Sequence, residues 1–592
     1  MRPASGGTGA LQPGGAAARG LQSVRMTVTV ESTSAHHETR RPSRRRLLAL
    51  IALLLFLGSL LAVSGTSHQY GMTYDEVIYA SLGAATADWF ARLGRSITQG
   101  DFRTPFIREV LDEGWASDKD HGPPLVKASS GLSQRWLAPA IGFWAAFRLP
   151  SAVLFALCVA GLFLWCASLW GIAPGLFAAL AFALMPRVFA HAHYAALDTG
   201  VAALSLLTAA AFFRSARTDS WRWAVATGIL FGLALLTKFN AWFLPPVLFL
   251  WSLLFMRRAL LKNLIAIAVI GPVVFLAGWP WLWHDPFGRL WDNLTFYRTH
   301  YAVDVHYLGQ TYHYAPWHYP FVLTGVTLPA LTLAFVGVGL IAAVVLTALR
   351  RAPEASLLAI AALAPLCISA LPGVPKYNGV RLFLSAFPFL AALAGLGFAQ
   401  ILAGVAWIAQ RLRPAVNPAS PRRWAAAALG AVVLLPAAVG VITTHPYQLA
   451  YYNALAGGPL GATDRGFETI YWGGVLRDAL PYLNSRQGDG ELAFVTPKGV
   501  TSLLVFYQRA GLLRPDLRFT TPRDTPEETD AELRACDFVI FQCAQSEFDT
   551  VSWPLYRDGV SSFARDLEGA ALLLVFEGDD ARRALAREGR AP

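Results

Sequence analysis

Apolar residues in this chain come in long runs separated by short polar stretches. The run from Leu47 to Val63 can cross about 30 Å of hydrocarbon as a helix, with its backbone polar groups paired internally. Similar runs follow at 149–169, 172–189, 198–214, 222–237, 239–256, 263–283, 322–349, 354–371, 381–404 and 424–444. The pattern predicts about eleven transmembrane helices. Three segments interrupt it. Residues 65–135 are polar and aromatic, residues 284–320 are dense in His, Tyr and Trp, and residues 445–592 have a soluble composition. In the last of these, Leu492–Val495, Phe538–Gln542 and Ala571–Phe576 predict short buried strands, and 499–510 and 526–535 predict helices. The expected fold class is therefore a mainly α, polytopic membrane protein with a small C-terminal α/β extracytoplasmic domain. Its parts are a basic tail at 1–46, a transmembrane domain at 47–444 and the C-terminal domain at 445–592.

Bulk composition agrees with this reading. The 592 residues are 55% hydrophobic and only 15% charged, and the mean hydropathy is +0.43, too apolar for a soluble chain of this length. A net charge of +11 invites a nucleic-acid reading, but the distribution opposes it. Residues 1–46 hold eight Arg against two Glu, and other basic clusters sit in short loops between apolar runs. Those are Arg214, Arg217 and Arg222; Arg257, Arg258 and Lys262; Arg350 and Arg351; and Arg411, Arg413, Arg422 and Arg423. Eleven spans place all of them on one face, the cytoplasmic one by the positive-inside rule. The expectation is an inner-membrane, multi-pass protein with its N-terminus inside, and with loops 65–135 and 284–320 and the C-terminus outside. The first 40 residues read as disordered, and Met26 offers an alternative start. Of five Cys, Cys536 and Cys543 could pair in an oxidising compartment, but a buried apolar role is preferred for them.

Ionisable residues gather at the outer boundaries. Asp75-Glu76, about ten residues beyond the first span, could supply a general base or hold a cation, or could simply open a helix, since Thr73 and Asp75 are good N-cap residues. Asp118-Lys119-Asp120-His121-Gly122-Pro123-Pro124-Leu125-Val126-Lys127 follows, where the Pro pair forbids helix until after Pro124. Asp118 and Asp120 form an Asp-x-Asp that could bind a divalent ion. Lys127 could pair with a lipid phosphate or act as an interfacial anchor. Asp198 at the mouth of a span must face a cavity or a partner; with His191 and His193 it could hold a metal, although interfacial hydrogen bonding is preferred. Lys238, Lys376 and Arg381 are three outward cations against the positive-inside trend, and an anionic lipid headgroup would account for all three.

This order of elements resembles the GT-C glycosyltransferases. It is most similar to glycosyltransferase family 39, which holds the protein O-mannosyltransferases and the aminoarabinose lipid A transferases. Asp75-Glu76 with Tyr79 resembles that family's Asp-Glu pair and following Tyr. His121, Pro123, Pro124, Leu125 and Lys127 resemble a His-Pro-Pro-Leu-x-Lys element, here with Gly122 inserted. Arg148-Leu149-Pro150-Ser151, His191 through Asp198, and Arg381 with Pro388-Phe389-Leu390 resemble further family segments. Tyr451-Tyr452-Asn453 and Glu468 to Gly473 resemble a tail motif. The likeness covers about residues 47–485. Ile78 stands where the aminoarabinose transferases carry Arg, and the tail does not resemble the β-trefoil of eukaryotic mannosyltransferases.

The resemblance implies a polyprenyl-phosphate sugar donor and an extracytoplasmic lipid, glycan or protein acceptor. Asp75 would be the base of a one-step inverting transfer. Glu76 would orient a cation or sugar hydroxyl, and Tyr79, His121 and Asp198 would line the substrate site. Some of Lys127, Lys238, Lys376 and Arg381 would stabilise the leaving phosphate. No cofactor is required, and a divalent metal at Asp118, Asp120, His191 or His193 stays open. A transporter or lipid flippase, or a non-catalytic envelope scaffold, are the alternatives; ionisable residues clustered at outer boundaries rather than at mid-span favour the enzyme.

Overall fold

In the computed structural model, residues 42–116, 120, 122–298, 303–412, 419–549 and 551–587 are described. Most of the basic tail, Asp118, His121 and Arg413 lie outside them. The chain divides after Leu47. The described part of the first unit is the opening of helix α1 (Pro42–Thr66), and the second unit holds everything from Leu48 onward.

Among the described residues, eight helices are long and apolar enough to span a membrane. A bent pair, α6 (Ile172–Ala183) and α7 (Pro186–Ala192), turns by 70°. The Pro at the first position of α7 lacks the N–H that would continue α6, so the break falls where the chemistry requires it. Two further apolar helices are shorter, Trp221–Thr237 and Phe239–Phe255. Together these eleven segments match the predicted apolar runs, so this is a multi-pass membrane protein. Residues 381–412 occupy the centre of the bundle: 94% of their apolar window is buried, against 17% at Arg423–Thr443. A helix apolar on all sides belongs inside such a bundle, and Phe177 stacks on Phe398 there with centroids 4.2 Å apart.

The segment 65–135, expected as a loop, is largely helical. It contains α2 (Tyr74–Thr98), α3 (Arg108–Trp115) and the start of α4 (Leu125–Ile141). Thr73 and Glu76 close a reciprocal capping box on α2, satisfying two backbone donors at once. Helix α4 begins directly after the Pro123-Pro124 pair, as the missing N–H groups dictate. α2 and α4 touch backbone to backbone. A Cβ at Gly131 would lie 1.9 Å from the Gly83 carbonyl oxygen. We expect Gly131→Val to force these helices apart and cost at least about 3 kcal/mol, at the upper end for overpacking. A thermal midpoint of the detergent-extracted variant equal to wild type would contradict this.

α5 (Phe143–Trp170), α8 (Leu197–Thr218) and α9 (Trp221–Thr237) complete the half of the bundle that holds the site. In the 284–320 segment, β1 (Val305–Tyr307) and β2 (Gln310–Tyr312) form a small antiparallel hairpin. The tail carries a five-stranded sheet in the order β4-β3-β5-β7-β6. Its strands are β3 (Leu492–Thr496), β4 (Arg518–Thr520), β5 (Phe538–Gln542), β6 (Phe563–Leu567) and β7 (Ala570–Glu577). β3 pairs parallel with β4 and β5, while β7 pairs antiparallel with β5 and β6. Cys536 and Cys543 are free and buried, and Cys536 Sγ donates to the Leu533 carbonyl. The tail docks on the entry to α2, where Met72 N donates to the Tyr507 hydroxyl at 2.8 Å.

Candidate active site

Asp75 and Glu76 open α2 side by side, but successive helical residues point about 100° apart, so the two carboxylates diverge. Glu76 turns inward and is fully buried. Its Oε1 accepts from Arg148 Nε and Ala195 N, both at 2.8 Å. Its Oε2 accepts from Arg148 Nη2 at 2.7 Å and from Thr73 N at 3.1 Å. Arg148 spends its other N–H groups on the carbonyls of Ser67, Tyr70 and Gly71. Every donor of the guanidinium is therefore used, which is what a buried ion pair needs to persist. This corrects the expectation that Glu76 orients a cation or a sugar hydroxyl: its oxygens are already engaged in anchoring α2 to α5.

Asp75 faces the other way. It pairs with Arg381 Nη2, and Arg381 Nε donates at 3.1 Å to Asp198 Oδ2. Lys238 Nζ donates to the second Asp198 oxygen at 2.5 Å. Asp75, Arg381, Asp198 and Lys238 thus form a chain of alternating charge with no net charge of its own. It joins α2, the start of the central helix, α8 and the end of α9. Lys238 and Arg381 are therefore carboxylate partners here, and a headgroup is not required to explain their position, contrary to expectation. Burial pushes the Asp75 carboxyl above the ordinary carboxylate range; Arg381 pulls it down, and the Asp198 and Asp120 carboxylates add to the rise.

Lys127 sits on the first turn of α4, buried, with Nζ donating to Asp120 Oδ2 at 2.7 Å and to the Gly122 carbonyl at 2.5 Å. Tyr79, one turn beyond Asp75 on α2, places its ring 5.6 Å from that ammonium. Asp120 and Lys127 border a cavity of about 120 Å³, whose aromatic walls are Trp115, Trp279 and Trp281. Lys376 stands apart. Its Nζ donates to the Leu371 and Val374 carbonyls of its own loop, and burial lowers its pKa.

His191 and His193 take up the hydrogen bonds preferred for them, and the alternative of a metal there does not fit the geometry. His193 bonds Thr66 Oγ1 and the Phe189 carbonyl and stacks on Tyr70, while His191 approaches the Tyr471 hydroxyl and the Trp472 ring. Two positions apart on the chain, the rings leave α7 in different directions. Among the described residues no three His, Cys, Asp or Glu side chains converge as metal ligands.

Trp472 was not singled out from sequence. Its ring lies 4.6 Å from the Arg381 guanidinium, and its carbonyl accepts from Tyr74 N. It holds a left-handed backbone with φ 75°, costly for a bulky residue and a recurrent mark of functional sites. The tail motif Glu468 to Gly473 was the available signal.

The fold and this charged cluster define a class: a multi-pass membrane protein whose ionisable site lies between its helical bundle and its α/β tail. Residues 141–284 match the family model described as dolichyl-phosphate-mannose-protein mannosyltransferase. Over that stretch, which includes the Arg148–Ser151 and His191–Asp198 segments, the chain is similar to this family. Among solved structures it is similar to ArnT from Cupriavidus metallidurans in the apo state, at 17% identity and TM-score 0.46, covering 90% of this chain and 98% of that one. The same protein bound to undecaprenyl phosphate gives 17% identity and TM-score 0.45, covering 90% and 98%. The archaeal oligosaccharyltransferase AglB from Archaeoglobus fulgidus, in complex with an inhibitory peptide and a dolichol-phosphate, gives 11% identity and TM-score 0.49, covering 84% and 69%. No curated protein matches the chain.

Proposed function

We propose that this protein is an inner-membrane glycosyltransferase that moves a sugar from a polyprenyl-phosphate donor to an extracytoplasmic lipid, glycan or protein acceptor. The observation that carries the reading is the pairing of Asp75 with the Arg381–Asp198–Lys238 chain, one helical turn from Tyr79, whose ring lies 5.6 Å from the Lys127 ammonium that borders a cavity. In this reading the N-terminus is cytoplasmic, and the site and tail face outward.

Asp75 acts as general base, taking the proton of an acceptor hydroxyl as its oxygen attacks the anomeric carbon. The bond from that carbon to the phosphate oxygen breaks in the same step, so configuration inverts and polyprenyl phosphate leaves. Arg381 holds the carboxylate in place, and Asp198 holds Arg381. Lys127 receives the phosphate, which requires Asp120 to yield the ammonium. The Trp walls suit an apolar sugar face and the start of the prenyl chain.

A base must be ionised to work. Because burial raises the Asp75 value, kcat/KM rises with pH along a limb placed above about 4, the ordinary Asp value. Arg381→Gln removes the cation that favours the carboxylate, so the limb moves to higher pH. A limb at the ordinary Asp value, unmoved in the variant, would count against Asp75 as base.

Removing the Lys127 ammonium loses a charge-assisted contact of about 1.5–3 kcal/mol. Lys127→Ala is expected to weaken donor binding by roughly 10- to 100-fold, and Asp120→Asn, which frees the ammonium, to tighten it. Unchanged donor affinity in both variants would remove the phosphate role.

The reading itself is tested by NMR of the product from a donor of known anomeric configuration. Inversion, with polyprenyl phosphate released, supports it. Donor that crosses the bilayer with its glycosidic bond intact would replace it with transport.

A further inference from the structure

A second cavity, of about 10 Å³, lies where α7, the β1–β2 hairpin, the loop before Arg381 and the tail meet. It is lined by Arg187, His306, Tyr319, Gly379, Glu468 and Tyr471, among others. Arg187 is 1% exposed. Its Nε donates to the Tyr451 carbonyl at 3.0 Å, and the Tyr452 ring lies 4.5 Å from its guanidinium. The Tyr452 hydroxyl gives its proton to the Glu468 carbonyl. Neither Nη of Arg187 reaches a carbonyl or carboxylate oxygen within hydrogen-bond distance among the described residues, and the Tyr452 side chain is its polar neighbour there. A buried guanidinium with no ion pair and no anionic acceptor for its Nη groups is costly, and an anion would offset that cost.

The rest of the cavity supports the same reading. Glu468 does not ion-pair with Arg187; its Oε1 accepts from Ser546 N and Oγ. Burial pushes its carboxyl up to about 7, so near neutrality it is partly protonated and able to donate. Burial lowers the His306 pKa, which keeps that ring neutral. One side of the cavity is kept open by Gly379, at φ 63°, where a Cβ would lie 2.5 Å from Arg187 Nη1. Gly379 stands two residues before Arg381 in the same loop. A volume of this size is at the lower limit for a single water-sized oxygen and excludes a sugar ring.

We propose that this cavity is an oxyanion subsite, in which Arg187 receives a carboxylate or phosphate oxygen from an acidic group of the acceptor. Only the assignment of the anion to the acceptor rests on the function proposed above; the site itself does not.

The test has two arms. In the first, the thermal midpoint of the purified full chain is measured in inorganic phosphate and in chloride at matched ionic strength. Wild type, Asp75→Asn and Lys127→Ala are expected to rise in phosphate; in the Lys127→Ala background, which lacks the proposed donor-phosphate contact, Arg187→Lys is expected to rise less and Arg187→Gln not at all. No phosphate-specific rise in wild type, the full rise retained in both Arg187 variants, or its loss in Lys127→Ala would overturn the subsite. Arg187→Lys keeps the charge and serves if Arg187→Gln does not fold.

In the second arm, transfer to an acidic acceptor is compared with transfer to its neutral ester. Wild type should prefer the acid by about tenfold, through KM, and Arg187→Lys should narrow that preference. Equal transfer to both, with the thermal rise still dependent on Arg187, would show a free-anion site and overturn its assignment to the acceptor. Absence of all transfer would bear on the proposed function, while the first arm still reads the subsite.

Discussion

Asp75→Asn is expected to lower transfer on the order of 10³-fold, the usual contribution of a positioned general base, while the protein extracts folded and still binds donor. The substitution keeps the shape and leaves an amide oxygen that can accept from Arg381. It removes only the charge that takes the acceptor proton. Arg381 retains Asp198 as a carboxylate partner, so the alternating chain does not come apart. In the proposed reaction, donor binding rests on Lys127, on a different helix. Transfer by the variant within about threefold of wild type would remove Asp75 from the base role, because no general-base step survives its loss at that level.

Glu76 and Arg148 predict the opposite kind of phenotype. Arg148→Met leaves a fully buried carboxylate without its two strongest donors and three backbone carbonyls without theirs. Breaking one side of such a pair costs about 3–5 kcal/mol. The thermal midpoint should fall sharply, and any folded remainder should keep most of its activity per molecule. Glu76→Gln should cost a similar amount. The double variant should lose clearly less than the sum of the two, since the second substitution removes the group the first one stranded. Additive losses, or single variants as stable as wild type, would show that the pair does not anchor α2.

The contrast between these two neighbours marks what the sequence could convey. The apolar runs announced the membrane helices because length and composition alone decide them. In the tail, β3, β5 and β7 were legible as continuous apolar stretches; β3 and β5 are buried on nearly every residue, and β7 on most. β4 and β6 were not, since edge strands alternate or expose charge, as in the Phe-Ala-Arg-Asp-Leu of β6. The outer helices α2 to α4 lacked a long apolar run and read as loop, although the Thr73 cap and the Pro123-Pro124 start were visible.

Within the site, Asp75, Lys127, Asp198, Lys238 and Arg381 were recognisable as types of residue at membrane depth. Their pairing was not, because the Asp75–Arg381 contact joins positions 306 apart and no local period encodes it. Asp75 and Glu76 look equivalent in a string of letters. The turn of the helix between them sends one to a structural arginine and the other to the charged chain. Arg187 fell inside the predicted span 172–189 and carried no signal of its own until its burial was seen.

The measurement that bears most directly on the central claim is release of polyprenyl phosphate by the purified wild-type chain from a panel of polyprenyl-phosphate sugars, with membrane lipid extract as acceptor. Release from at least one donor, dependent on acceptor, is the predicted result, and the active donor names the sugar. No release from any donor by protein shown to be folded would contradict the assignment as a glycosyltransferase.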